Sequence, residues 1–354
     1  MITQKTSRQW IRLLDVAVGC LSLTCIVGLL IGACQAAESP QKKSQPAAKK
    51  IEIPTVKGMF RHVLDPPGQK ADPKKRRWYI NDHCFFVDAD NTIHWFGITN
   101  PYPPKGKGYY GGGTHLHVGH ASAKHPFGPW TEHKDAVALP EGSKGFVGAC
   151  YVVRHGDEYI MLYNYIDGFS TATSRDLHEW KRAEDVPVVN LGHGTRDPCI
   201  VTQPDGRYFL YCTAGHGKFA AVPLGISTDM KQWKKEPSPA LLSDIRGHWG
   251  PLESPFVHRR GDAYYLFINH SHHQYCETLV FRSEDPKKFD WNRPVCTLFS
   301  HAAEIFEWNG KTYISHCGIE DRHWGKKTGL YLAELDWAPV DAKSETHREE
   351  REDD

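Results

Sequence analysis

Three acidic residues head apolar, strand-like runs in separate parts of the chain. Asp82 precedes His83-Cys84-Phe85-Phe86-Val87, Asp197 precedes Pro198-Cys199-Ile200-Val201, and Glu253 precedes Ser254-Pro255-Phe256-Val257. A carboxylate among apolar neighbours costs desolvation energy unless it is paired or hydrated. One such residue is an ordinary strand-edge charge, whereas three in matching contexts imply a shared site. Crowded carboxylates raise one another's pKa, so that one keeps its proton near neutral pH while another stays ionised. Cleavage of a glycosidic bond needs that division: a protonated carboxyl for the leaving oxygen, and an ionised one that attacks or activates water. A third can tune the acid and contact a sugar hydroxyl. Arg196, next to Asp197, is expected to lower the pKa of that aspartate and keep it ionised.

The elements that must position these groups repeat along the chain. A strand, a turn centred on Gly or Asn, and an aromatic-rich strand recur at 85–98, 151–165, 200–214, 256–270 and 305–318. The turn residues are Asn91, Gly156, Gly206, Gly261 and Gly310, types that tolerate the positive φ of tight hairpins. A second unit follows each hairpin: a short strand, a polar loop and a closing Trp, as in ATSRDLHEW (172–180) and GISTDMKQW (225–233). Five repeats of four short antiparallel strands predict an all-β fold, a five-bladed β-propeller, because stacked blades bury the faces that one twisted sheet leaves open. The first strand of each blade lines the axis. Counting nine residues back from the turns reaches Asp82, Val147, Asp197, Leu252 and His301, and a one-residue shift puts Glu253 in the place of Leu252. Phe146 and Val147 then form an apolar wall.

The segments INDHCFFVDADNTIHWFG (80–97), GTRDPCIVTQPDGRYFLY (194–211) and LESPFVHRRGDAYYLF (252–267) resemble glycoside hydrolase family 43 and its relative family 32. The resemblance covers roughly residues 75–340 and implies a five-bladed propeller glycosidase. It makes Asp82 the general base (the nucleophile in family 32), Asp197 the tuning aspartate and Glu253 the general acid. His301 matches a histidine facing the central cavity that often contacts calcium or water, so calcium near His301 is an expectation, although no cofactor is required. Two positions depart from the pattern: His83 stands where both families have Pro, and Ser254 stands where family 32 has Cys. The second favours family 43 and inversion. Its members act mostly on arabinofuranosides and xylosides, some on galactosides. The alternative is a carbohydrate-binding propeller without catalysis.

Trp249 in GHWGPLE is the candidate for stacking on a sugar ring. In THLHVGH (114–120), alternation puts His115 and His117 on one strand face, and sugar hydrogen bonding by His117, or packing within the blade, is the reading preferred to a metal pair. Seven cysteines lie beyond the leader, without zinc-type spacing, and most read as buried free thiols.

The 43 basic and 42 acidic side chains leave a formal net charge of +1, which argues against the basic stripe of a nucleic-acid binder. Residues 1–37 read as a signal peptide: Lys5, Arg8 and Arg12, then an apolar run to Ala33. Ile31-Gly32-Ala33-Cys34 resembles a lipobox, which would anchor the protein to a membrane through lipidated Cys34; cleavage after Ala36 is the alternative. A secreted or periplasmic location follows. Residues 38–50 read as a flexible tether, 51–342 as the propeller, and 343–354 as a charged tail.

Overall fold

A computed structural model describes residues 50–107, 115–143, 145–166, 168–183, 189–247, 251–318 and 328–341. The expected leader, the tether up to residue 49 and the tail lie outside the described residues. Five antiparallel sheets form the five blades. Blade one runs outward from Trp78–Val87 through Ile93–Pro101 and His117–Ala123 to Thr131–Glu132. Blade two comprises Val147–His155, Glu158–Tyr165, Phe169–Ser174 and Lys181–Arg182. Blade three has Arg196–Thr202, Tyr208–His216, Leu224–Ser227 and Lys234–Lys235, with Phe219–Val222 and Leu241–Arg246 added at one end. Blade four comprises Glu253–Arg260, Ala263–Asn269, Glu277–Ser283 and Pro294–Phe299.

The fifth blade closes the ring in a way the repeats alone do not announce. Its inner three strands are Ile305–Trp308, Lys311–His316 and Leu330–Asp341, and its outer strand is Lys50–Leu64, from the opposite end of the propeller sequence. The pairing runs antiparallel from Lys50 opposite Asp341 to Leu64 opposite Leu330. Arg260 of blade four grips Glu52 of this strand with two bonds, Nε to Oε2 at 2.6 Å and Nη2 to Oε1 at 2.9 Å. Closure in this way joins the two ends of the propeller sequence within one sheet.

The turn chemistry is as the residue types imply. Asn91, Gly156, Gly206, Gly261 and Gly310 all have positive φ, and Asn309 beside Gly310 does too, as a type I′ turn requires. The second repeated unit is a capped loop. In blade two Ser174 Oγ accepts from the Leu177 N–H, and Asp176 Oδ1 accepts from the N–H groups of His178 and Glu179. In blade three Ser227 and Asp229 do the same for Met230, Lys231 and Gln232. The short polar side chains satisfy backbone donors that the turning chain leaves without ladder partners.

The core lies between blades. Phe96, Val118, Val152 and Tyr163 join blades one and two, and Leu162, Phe169, Ile200 and Leu210 join two and three. Phe209, Tyr211, Phe256 and Phe267 continue into blade four. Phe85 meets Phe306 across the closing seam, with ring centroids 4.4 Å apart. All seven cysteines beyond the leader are free thiols and six are buried, as their apolar settings imply.

Candidate active site

Each of the first four inner strands breaks register near its start. The slips fall between Ile80 and His83, Val147 and Cys150, Arg196 and Cys199, and Glu253 and Phe256. An extra residue at such a bulge bends the strand and re-aims side chains. Asp197, Ser254 and Ala302 hold left-handed φ values of 56°, 55° and 48° at this level of blades three, four and five. Non-glycine residues enter that region at a cost and cluster at functional sites when they do.

The slips bring the three acids together but correct their alignment. Asp197 and Ser254 share the bulge position, so Glu253 lies one residue earlier, level with Arg196. Val147 likewise precedes its bulge, and Ala149 and Cys150 line the axial cavity in its place. Asp82 lies one residue past the bulge position, level with Pro198, and counting from the turn fails because strand and hairpin lengths both differ. Blades one and three turn through 88–92 and 203–207, whereas blades two and four turn between His155 and Glu158 and between Arg260 and Ala263.

Asp197 is buried and surrounded by donors. Its backbone N–H donates to Asn164 Oδ1 at 3.1 Å, and its Oδ2 accepts from Thr213 Oγ1 at 2.9 Å and the Ser254 N–H at 3.2 Å. Arg196, itself buried, sets Nε 3.4 Å from Asp197 Oδ2 and Nη2 3.5 Å from Glu253 Oε2. Two backbone carbonyls fix the guanidinium: Nη1 donates to Gly194 O at 3.2 Å and Nη2 to Leu252 O at 3.4 Å. Ser254 Oγ donates to Asp82 Oδ1 while its N–H serves Asp197, so one residue links two acids. Glu253 is the most open of the three, with its side chain 25% exposed.

Electrostatics separates these groups. Burial pushes the Asp82 carboxyl up to about 8, with the charges of Asp197 and Glu253 adding and the Ser254 hydrogen bond opposing. Burial also raises Asp197, against the pull of Arg196. The cluster therefore keeps a proton on Asp82 at neutral pH.

His83 is an inter-blade strut. Its Nε2 meets Ser315 Oγ of blade five at 2.8 Å, and burial holds the ring neutral, with its pKa lowered to about 3. Gly97 pairs with His83 across the ladder because any Cβ there would overlap His83 Cβ and press on Trp95. Gly97→Ala is expected to cost about 1–3 kcal/mol. A urea midpoint unchanged at constant slope would contradict this.

The remaining expected site residues scatter. His301 is buried, stacked on Tyr275 at 3.9 Å, with Nδ1 3.0 Å from Tyr275 O and Nε2 3.2 Å from Asn81 Oδ1. With both nitrogens engaged, the ring does not fit a direct calcium ligand, and a hard cation calls for six or more oxygens. His117 is not with the acids. It packs on Trp78 at 5.3 Å and bonds Asp135 Oδ2 at 2.8 Å, lining a separate surface pocket. Its strand begins only at His117, so the expected shared face with His115 is absent: His115 is buried and turns to Val147 O. Phe146 lies 6.4 Å from the His115 ring and is not among the residues lining the cavity at the acids. Trp249 lies outside the described residues.

Ser254, Asn164, Thr213 and Glu304 complete the site without having stood out in the sequence. Glu304 lines the same cavity as Asp82, and burial, then Cys84 and Asp82, holds its carboxyl well above the usual range. An acid within Ala302-Ala303-Glu304-Ile305-Phe306 is the signal that could have found it.

No protein-family model matches the sequence, and no curated protein matches it. Solved structures do match. A β-xylosidase, RS223, is 15% identical over 79% of this chain and 94% of its own, with a TM-score of 0.58. A family 43 β-xylosidase/α-arabinofuranosidase from a compost microbial metagenome, solved with xylotriose, is 15% identical over 82% of this chain and 97% of its own, with a TM-score of 0.56. The family 32 β-fructofuranosidase of Bombyx mori is 18% identical over 78% of this chain and 61% of its own, with a TM-score of 0.55. The chain has the five-bladed propeller fold of these glycosidases.

Proposed function

We propose that this chain is a glycoside hydrolase of the family 43 type that inverts configuration at arabinofuranosides, xylosides or galactosides. The observation that carries the reading is the convergence of Asp82, Asp197 and Glu253 on one another, with Arg196 facing two of them and Ser254 joined to two. Glu253, the most open, protonates the leaving oxygen. Asp82 accepts the proton of the attacking water, and Asp197 with Arg196 fixes the field between them. The productive form carries the proton on Glu253 with Asp82 ionised. It contains as many protons as the resting form with Asp82 protonated, so both forms share one pH dependence. The leader, read as a secretory signal or a lipid anchor at Cys34, suits polysaccharide substrates outside the cytoplasm.

The test is sugar release from a panel of arabinosides, xylosides, galactosides and fructans, with the configuration of the product read by NMR. Inverted product from one class supports the proposal. No release, with calorimetric binding of a glycan, would move the chain to a carbohydrate-binding propeller. The pH profile of kcat/KM checks the assignment of Asp82. Its alkaline limb belongs near 8, and Asp197→Asn, by removing a like charge, moves that limb down by about one pH unit. A limb that stays in place would mean another group sets it.

A further inference from the structure

A second cluster lies apart from the carboxylates, where blade one meets blade two. His94 stands in the strand Ile93–Pro101 and His120 in His117–Ala123. His133 directly follows Thr131–Glu132, and its N–H donates to His120 O at 2.9 Å. His178 belongs to the capped loop of blade two, where Asp176 Oδ1 holds its N–H at 2.9 Å. The rings of His120, His133 and His178 are 4.5 to 5.1 Å apart between centroids. One ligand nitrogen from each lies within 4.8 Å of the other two.

A hydrogen-bond chain fixes the tautomer of the innermost ring. Asp88 Oδ2 lies 3.2 Å from His94 Nε2, so that nitrogen donates to the carboxylate. His94 Nδ1, 3.0 Å from His120 Nε2, is then the acceptor, and His120 Nε2 carries the proton. His120 Nδ1 is left with a lone pair and no hydrogen-bond partner, on a residue that is 0% exposed. A buried polar atom without a partner is costly and calls for an explanation. A carboxylate or second polar group behind a metal-binding imidazole is the usual device for orienting it.

The structure assigns His120, His133 and His178 to a site for a divalent transition-metal ion of the zinc type, which would clip blade one to blade two. Imidazole nitrogens suit zinc, copper and nickel, and three of them with one open position is a familiar zinc arrangement. Nitrogens around a tetrahedral zinc stand roughly 3.4 Å apart. The outermost residue, His178, is exposed, and its ring would close that small difference on binding the ion. This assignment does not depend on the glycosidase reading. Among the described residues a competing group exists, His270, His273 and Glu277, but its imidazoles already bond the same Glu277 Oε2, at 2.9 and 2.8 Å.

The experiment uses the purified full chain, stripped with chelator, titrated with zinc chloride by calorimetry and followed by thermal melting. The expected result is about one zinc per chain and a melting temperature raised by a few degrees. His178→Ala, at an exposed position, keeps the melting temperature of the stripped protein and weakens zinc at least ~10²-fold. His273→Ala binds as the parent does. Absence of zinc binding by the parent, equal binding by His178→Ala, or loss in His273→Ala instead would each overturn the assignment. Cobalt substitution gives a separate readout: the intense visible bands of tetrahedral coordination belong to the parent and vanish in His178→Ala.

Discussion

Glu253→Gln lowers kcat on a natural glycoside by at least ~10²-fold, and by much less on an aryl glycoside. The two substrates differ in what they ask of the acid. An alkoxide leaves only if it is protonated as the bond breaks, so an enzyme without its acid loses the full contribution, about 2.7 kcal/mol for each hundredfold. A nitrophenolate leaves without help. Glutamine keeps the shape of Glu253 and an acceptor for Arg196 Nη2, now 3.5 Å from Oε2, but carries no acidic proton. Asp82→Asn, by contrast, removes the group that takes the proton from water and is expected to lose comparably on both substrates. Initial rates on the pair of substrates for the two variants check the roles. Equal losses in Glu253→Gln on both would place the acid elsewhere.

Much of this arrangement is legible in the amino-acid sequence because propellers write their fold locally. Each hairpin announces itself by alternation and by a residue that accepts positive φ, from Asn91 to Gly310. The Ser-x-Asp loops repeat because each must satisfy the same backbone donors. Buried acids at the heads of apolar strands stand out because burial penalises them. What is not legible depends on partners distant in the chain. The strand 50–64 is completed by 330–341, and nothing local to either says so. The level of Glu253 depends on turn lengths and bulges, which shift register by single residues. His117 misleads because strand alternation does not extend back to His115. Asn100 Oδ1 captures the N–H groups of Leu116 and His117, and the regular strand starts only there. Nothing in the sequence marks Ser254 for a double role, which follows from the bulge that puts its N–H on Asp197 and its hydroxyl on Asp82.

Asp82→Asn is expected to stabilise the fold while it removes activity, and the gain is expected to grow with pH. The carboxyl of Asp82 is raised from 3.8 to about 8 in the folded chain. Between those values the folded state holds a proton that the unfolded state has released. Stability therefore falls as pH rises through this window, and the loss is complete above the folded pKa. A rise of that size sets a ceiling of about 6 kcal/mol, and the coupling to Asp197 and Glu253 makes on the order of 2–4 kcal/mol at pH 8 the reasonable expectation. Asparagine keeps an oxygen to accept from Ser254 Oγ and never ionises, so its advantage is small at pH 4 and largest at pH 8. Urea unfolding of the two proteins across that range measures the difference. A gap that is the same at both ends would show that Asp82 titrates normally. A widening gap would show that the fold tolerates a costly buried acid which its own stability does not require, as a site kept for chemistry should.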